Sequence, residues 1–383
     1  MNILYVTTIG GTMGFFKQLV QKLVREGNTV DIATNETDSK VPGCYREWGC
    51  RVYPVSCTRQ VACTGNLRAA RELREVVRRN GYDIVHCHTP VAAACARIAC
   101  RGLRKNGVKV VYTAHGFHFY KGAPLKNWLF YYPVEKVLSY WTDCLVTINK
   151  EDYRRVQKKF HAKRTEYVPG VGIDLKKFCV PDFVQDIDGT HIPYMLWRKK
   201  KREEFGLVSE DFVIVSVGEL NANKNHKVVI EAVARLKNKK IKYLICGKGG
   251  LEDELTGFIE KLGLEKQVFL LGFCNDIREI LWMGDLFAFP SKREGLPVAL
   301  MEAMASGIPC IASNIRGNRD LFGKEKVKYL LPPDKAERWE DVIRYCEGST
   351  GDEMTLFRKK QEDMLHFSET KVLEKTGEIY STL

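Results

Sequence analysis

Asp285-Leu-Phe-Ala-Phe-Pro-Ser-Lys-Arg-Glu294-Gly-Leu-Pro-Val-Ala-Leu-Met-Glu302-Ala-Met-Ala-Ser-Gly307-Ile-Pro-Cys-Ile-Ala-Ser313 is the stretch whose reading decides the fold. Leu286–Phe289 is a short apolar run bounded by turn residues, which predicts a buried strand. A loop follows, then a helical run closed by Gly307, then a second strand at Cys310–Ala312. Strand, helix, strand is the unit of a parallel sheet. Pro297 suits the first helical turn, where its missing N–H costs nothing. The backbone N–H groups near Gly295, Leu296 and Val298 are then free, and such a helix start attracts anions, phosphate above all. Glu294 stands just before it and Glu302 further along the helix. A carboxylate repels phosphate but accepts hydrogen bonds from hydroxyls. A phosphate cradle flanked by two hydroxyl-binding carboxylates suits a nucleotide-sugar.

Working outward, the same alternation recurs on both sides. Strands are predicted at Asn2–Thr7, Thr29–Thr34, Asp83–Cys87, Lys109–Thr113 and Cys144–Ile148, and again at Phe212–Val217, Tyr243–Cys246 and Val268–Leu271. Helices are predicted at Leu67–Arg79, Val91–Leu103, His226–Leu236 and Leu251–Leu262. After the first strand comes Gly10-Gly11-Thr12-Met13-Gly14, then a helical face of Phe15, Phe16, Leu19, Val20, Leu23 and Val24. Residues 179–205 break the rhythm: Val184–Thr190 is polar and loop-like, and Arg198–Arg202 are five basic residues opening the next helix. Met354–Leu383 is polar and helix-prone. The expectation is α/β: a domain over 1–180, a second over 181–360, and a C-terminal helix over 361–383 that crosses back to the first. Each domain is a doubly wound parallel sheet, with ligand in a cleft beyond the strands' carboxyl ends.

Glu294 and Glu302, seven residues apart within Glu-Gly-Leu-Pro-Val-Ala-Leu-Met-Glu-Ala-Met-Ala-Ser-Gly-Ile-Pro, resemble the E-x7-E motif of retaining glycosyltransferases of family 4, which have the GT-B fold of two Rossmann-like domains facing a central cleft. Asp83-Ile-Val-His-Cys-His-Thr-Pro, Thr113-Ala-His-Gly-Phe-His-Phe-Tyr, Val168-Pro-Gly-Val-Gly-Ile-Asp and Leu271-Gly-Phe-Cys-Asn-Asp-Ile extend the likeness over essentially the whole chain. The Tyr-Pro-Val-Glu-Lys and Ile-Asn-Lys-Glu-Asp segments are similar to members that build bacterial capsular or exopolysaccharide repeat units. The resemblance implies that Glu294 contacts donor-sugar hydroxyls and Glu302 the ribose hydroxyls. Gly295, Leu296 and Val298 offer N–H groups to the diphosphate. Lys224 neutralises the leaving group, the Gly10-Gly11 loop closes over the phosphates, and His115 lines the sugar pocket. Many members carry Arg where this chain has Glu219, so Lys224 acts alone or with Arg293 or Lys248. The implied reaction is retaining transfer from a nucleotide-sugar, UDP-linked by family habit, with no metal required.

Composition narrows the setting. Residues 1–180 hold 29 Lys and Arg against 14 Asp and Glu, and the remainder 31 against 33, so the whole excess positive charge lies in the first half. Such a face meets an anionic membrane, an anionic lipid-linked acceptor or nucleic acid; the chain has no helix-turn-helix, zinc-finger or RRM signature, which argues against the last. The acceptor expected is a polyprenyl-diphosphate-linked saccharide, with Arg71, Arg74, Arg78 and Arg101 as membrane contacts and Phe117, Phe119 and Tyr120 as aromatic support. No 18-residue apolar run occurs, since Ile84–Cys100 is broken by Arg97 and Leu129–Ile148 by Glu135, Lys136 and Asp143. The N-terminal residues lack a basic region and cleavage site, which predicts no signal peptide. Thirteen cysteines, an odd number with no C-x-x-C pair, predict reduced thiols and a cytoplasmic, peripheral membrane protein. His86-Cys87-His88 has the look of a metal cluster, but on a strand only two of the three converge.

Two other classes are weighed against a transferase. A dinucleotide oxidoreductase would use the Gly-rich first turn and Glu36 after the second strand, yet Gly10-Gly11-x-x-Gly14 is not G-x-G-x-x-G. A non-catalytic sugar-nucleotide or membrane-binding subunit of the same fold is suggested by Glu219 and opposed by Glu294, Glu302, Lys224 and His115.

Overall fold

The computed structural model describes residues 1–60, 63–185, 189–323, 329–349 and 361–383. The chain forms two compact units, Met1–Val171 with Val372–Leu383, and Gly172–Lys371.

In the first unit seven strands make one sheet: β1 (Asn2–Ile9), β2 (Thr29–Asn35), β3 (Val52–Pro54), β4 (Ile84–His88), β5 (Lys109–Ala114), β6 (Cys144–Thr147) and β7 (Arg164–Tyr167). Their order is β3-β2-β1-β4-β5-β6-β7, every pair parallel. A parallel sheet is covered on both faces, which is why these strands read as near-continuous apolar runs. The two-residue period divides them between two cores. Leu4, Val6, Val85, Cys87, Val110 and Tyr112 face the helices Thr64–Asn80 and Pro90–Cys100. Ile3, Tyr5, Ile32, Val111 and Val146 face Val20 and Leu23 of the helix Lys17–Arg25, together with Val372, Ile379 and Tyr380 from the far end of the chain.

Several expectations are corrected here. The glycine-rich Gly10–Phe16 segment is a short 3-10 helix, and Phe15 leaves the helical face to stand in solvent. Phe117 and Phe119 are buried, packed on each other and on Phe160, so they support no outer surface. Arg97 is wholly buried: its guanidinium lies 2.8 Å from the Glu135 carboxylate and 4.2 Å from the Tyr112 ring centroid.

In the second unit a short helix, Leu175–Phe178, precedes an antiparallel pair, β8 (Phe183–Gln185) and β9 (His191–Pro193), where a loop was expected. Asp186-Ile187-Asp188 between them lies outside the described residues. The helix Tyr194–Glu204 follows, and three of the five residues of its basic run are engaged internally. Arg198 and Arg202 each reach Asp285 at 2.6 Å, and Lys201 reaches Glu204 and Glu279 at 3.0 Å. The second sheet comprises β10 (Phe212–Val217), β11 (Ile241–Cys246), β12 (Val268–Gly272), β13 (Leu286–Phe289), β14 (Cys310–Ser313) and β15 (Leu330–Leu331), ordered β12-β11-β10-β13-β14-β15 and parallel throughout. Of the helix-prone tail, residues 354–360 lie outside the described residues, while Glu369–Ser381 is a helix. All thirteen cysteines are free thiols, most of them buried. Among the described residues no helix is long and apolar enough to cross a membrane.

Candidate active site

In each sheet the strand order reverses direction at one place, and the loops leaving the two strands there diverge to open a crevice. In the second unit that place lies between β10 and β13. The loop after β10 carries Lys224; the loop after β13 carries Glu294. The structure brings the two together: Lys224 Nζ donates to Glu294 Oε1 at 2.8 Å and lies 5.0 Å from the Phe289 ring centroid. Both are partly exposed, so the ammonium keeps donors for a second anion.

The loops are tied to one another by backbone. Asn221 Oδ1 caps its own turn, accepting from Asn223 and Lys224 N–H at 3.0 Å. Asn223 donates to the Arg293 carbonyl at 2.9 Å, and Lys292 N–H to the Asn223 carbonyl at 2.8 Å. Asn225, at φ 57°, donates to the Pro290 and Pro333 carbonyls. Arg316 donates to the Glu294 carbonyl at 3.2 Å. Gly317 packs so closely that a Cβ there would stand 2.3 Å from the Gly295 carbonyl oxygen. Lys248, Arg293 and Glu219 are exposed.

The helix after this loop runs Val298–Ala305, so Pro297 is the N-cap, with φ −79° and ψ 121°, rather than the first helical residue. The first helical N–H is therefore that of Val298, while Gly295 and Leu296 lie in the bend before the helix. Glu302 lies one turn in, half-buried. Burial raises its pKa, opposed by the charge of Lys177. No hydrogen bond reaches its carboxylate from the described residues, so two acceptor oxygens there remain unspent.

In the first unit the reversal lies between β1 and β4. Gly10 and Gly11 follow β1, and what requires glycine is contact within the unit. A Cβ on Gly10 would stand 2.5 Å from the Ser39 carbonyl oxygen, and one on Gly11 2.3 Å from Ser39 Oγ. After β4, Thr89 holds φ 63°, a conformation rare for a β-branched residue. Its hydroxyl accepts from Thr8 N–H at 3.1 Å and bonds the Thr8 hydroxyl at 2.7 Å.

His115, after β5, meets His88: Nε2 and Nδ1 are 3.1 Å apart. Burial lowers His115 to about 4, His86 to about 3 and His88 well below its ordinary value, so all three are neutral at neutral pH. A nitrogen–nitrogen hydrogen bond needs one donor and one acceptor. His88 Nε2 is buried with no partner among the described residues, and a buried bare N–H is costlier than a buried lone pair. We therefore assign the proton to His88 Nδ1, donating to His115 Nε2. His115 then carries its own proton on Nδ1, available as a donor. His86 and His88 do converge on one face of β4, with ring centroids 4.1 Å apart, while Cys87 points into the opposite core. His86 bonds Thr113 Oγ1 at 2.7 Å and the Tyr380 hydroxyl, which in turn bonds Tyr5 at 2.8 Å. Among the described residues no group of three His, Cys, Asp or Glu side chains is placed to hold a metal ion.

Thr89, Asn225 and the buried hydroxyl of Ser291, which has no partner among the described residues, were not singled out from the sequence. His88 was named only within the metal-like run His86-Cys87-His88; the two-residue period that puts it on one face with His86 also places it at the end of β4, beside His115.

Residues 9–177 match Glycosyltransferase Family 4 and residues 198–361 match Glycosyl transferases group 1. The protein named as glycosyltransferase EpsD of Bacillus subtilis is 39% identical over 319 residues, 82% of this chain and 81% of that one. The chain belongs to glycosyltransferase family 4. The UDP-Gal:alpha-D-GlcNAc-diphosphoundecaprenol alpha-1,3-galactosyltransferase of Escherichia coli is 31% identical to this glycosyltransferase over 286 residues, 73% of this chain and 69% of that one. Among solved structures, HepE of Anabaena in complex with UDP-glucose superposes with a TM-score of 0.79 over the full length of both chains at 19% identity, which establishes the GT-B architecture.

Proposed function

We infer that this glycosyltransferase moves a hexose or N-acetylhexosamine from a UDP-sugar to a polyprenyl-diphosphate-linked saccharide, with retention of configuration, in the assembly of a bacterial surface polysaccharide. The observation that carries the reading is the Lys224–Glu294 contact at the reversal point of the second sheet, beside the N–H groups that open the Val298 helix. Support for the donor comes from HepE, solved with UDP-glucose, and for the acceptor from the E. coli relative, whose name specifies a diphosphoundecaprenol-linked sugar.

In this reading Lys224 and the N–H groups of Gly295, Leu296 and Val298 hold the diphosphate. Glu294 accepts from a sugar hydroxyl, and the unspent carboxylate of Glu302 accepts from the ribose. On the first unit, His115 carries Nδ1–H as a donor for substrate. The acceptor oxygen forms a bond to the anomeric carbon on the face from which the diphosphate leaves. The carbon–oxygen bond breaks with its electron pair going to the leaving phosphate, whose oxygen takes the acceptor proton. Lys224 and the helix N-terminus stabilise the charge that develops on that oxygen, and positioning supplies most of the remainder. No metal is assigned a role: the fixed positive ends carry the leaving charge. The sequence's one Asp-x-Asp pair, Asp186 and Asp188, lies outside the described residues. The free cysteines suit a reducing cytoplasm, with the basic first unit against the inner face of the membrane.

The test is turnover with radiolabelled UDP-sugars and a polyprenyl-diphosphate-linked saccharide, alongside thermal shifts with UDP, GDP, ADP and NAD. Ligand at about 100 times its dissociation constant stabilises by about 2.7 kcal/mol. A UDP shift that Lys224→Ala abolishes, with label transferred to lipid, is expected. A shift with NAD alone refutes the reading. UDP binding without transfer to any acceptor points instead to a non-catalytic subunit.

A further inference from the structure

The helix Leu125–Ser139 is apolar on both sides. Inward, Trp128, Tyr131 and Tyr132 pack on the core beside buried Leu138. Outward, Leu125, Leu129, Phe130 and Val134 are 74%, 64%, 71% and 52% exposed, with Val137 and Tyr140 beside them. At 100° per residue these six fall within one half-turn of the helix, and the two charges in the same arc, Lys126 and Lys136, are both basic. Helices of soluble domains turn a polar face to water; one apolar all round has an apolar environment on its outer side too. The face runs on into a groove of about 510 Å³ between this helix and the helices Thr64–Asn80 and Pro90–Cys100, with Leu67, Ile98, Tyr131 and Val134 on its walls. Leu67 and Ile98 are themselves exposed.

Around this apolar surface the charge is basic. Arg71 stands one turn from Leu67, Arg101 three residues from Ile98, and both are exposed, as is Lys126. An occupant must therefore be apolar within and anionic at its surface. A second copy of this chain would bring the same basic rim and repel. We propose that the outer face of the helix Leu125–Ser139, edged by Leu67 and Ile98, inserts into the interfacial layer of an anionic phospholipid bilayer. This replaces the expected Phe117 and Phe119, which are buried, with side chains that reach solvent. It rests on the reading of a lipid-linked acceptor, because it places the first unit on the bilayer where such an acceptor resides. An apolar helix face gives affinity by burial and its basic neighbours by attraction to anionic lipid, so both lipid charge and salt control binding.

The test is flotation of the full chain with vesicles of phosphatidylcholine, alone or mixed with phosphatidylglycerol. Wild type is expected to float with the mixed vesicles and to be released by salt. Leu129→Gln combined with Phe130→Gln, at two exposed positions, is expected to lower partition on the order of a hundredfold. The double variant should keep its UDP thermal shift, which shows that it is folded. Its transfer to a water-soluble acceptor should also stand, so failure of the transferase reading and failure of this one are told apart. Equal flotation of wild type and double variant overturns the proposal. So does wild type that ignores anionic lipid, or a dimer that the double substitution dissolves.

Discussion

Acidification should loosen the first unit about three times as much as the second. His86, His88 and His115 are all held neutral by burial in the first unit, at about 3, well below the ordinary value, and about 4 respectively. In the second unit His226 is held this way, at about 4. A histidine whose folded pKa is depressed contributes stability that is fully present above its unfolded pKa of about 6.5 and is lost as pH falls, because the unfolded chain then binds the extra proton. Between about pH 7 and about pH 5 each such histidine costs about 2 kcal/mol, a figure that hardly depends on the folded pKa so long as that lies below 5. The first unit should lose about 6 kcal/mol and the second about 2, against total stabilities of about 5–15 kcal/mol for a domain. Glu302 and Glu369, both in the second unit, are raised by burial, so their protonation on acidification favours the folded second unit and widens the contrast. Asp143, lowered to about 2 by Arg104, Lys163 and the Val110 N–H, gives up its contribution only below the ordinary aspartate pKa of about 4. Hydrogen exchange read by mass spectrometry, corrected for intrinsic rates, resolves the two units. Opening free energies at β4 and β5 should fall about threefold more than those at β10 and β11, and His86→Gln should remove one share. Equal losses in the two units, or none, would refute the reasoning.

Three further outcomes follow from the site and the core. In Gly317→Ala the new methyl meets the Gly295 carbonyl oxygen and pushes the loop that carries Glu294. UDP affinity by calorimetry should fall by about tenfold or more while the unfolding midpoint moves little. Burial raises Glu302, so the ribose-binding role proposed for its carboxylate predicts that UDP affinity declines on acidification at pH values above the ordinary carboxylate range, and that Glu302→Gln abolishes that dependence. Arg97→Met strands a buried Glu135 and should cost about 3–5 kcal/mol in urea unfolding, whereas Arg97→Met with Glu135→Leu should recover most of it.

What could be read from the sequence divides along physical lines. Strands buried on both faces, such as Phe212–Val217 and Leu286–Phe289, announce themselves as apolar runs and were placed to the residue. Edge strands fared worse. β7, Arg-Thr-Glu-Tyr, and β3, ending in Pro54, are half-buried at the sheet margin and have no such run. The helix Leu125–Ser139 was missed as well, because residues apolar on every side show no 3.6-residue period. Of the candidate site, Lys224 and Glu294 were named from sequence, but their contact joins loops seventy residues apart and no local pattern encodes it. Gly10 and Gly11 were read for a ligand. Their lack of side chains is demanded by Ser39, a packing fact visible only in three dimensions. The Arg198–Arg202 run shows the same limit, since a solvated charge cluster and one pinned to Asp285 look alike in one dimension.

The return of residues 372–383 into the first unit, where Tyr380 joins Tyr5 and His86, has a consequence for the order of events at the ribosome. At roughly 5–20 residues per second, the intervening stretch of about 200 residues takes roughly 10–40 s to be made. Through that interval the first unit lacks Val372, Ile379 and Tyr380 from one of its cores, and Tyr5 and His86 lack the hydroxyl they bond. Gly172–Lys371, synthesised later, is contiguous and can close without waiting. The half of this enzyme that is translated first is therefore the half that is finished last.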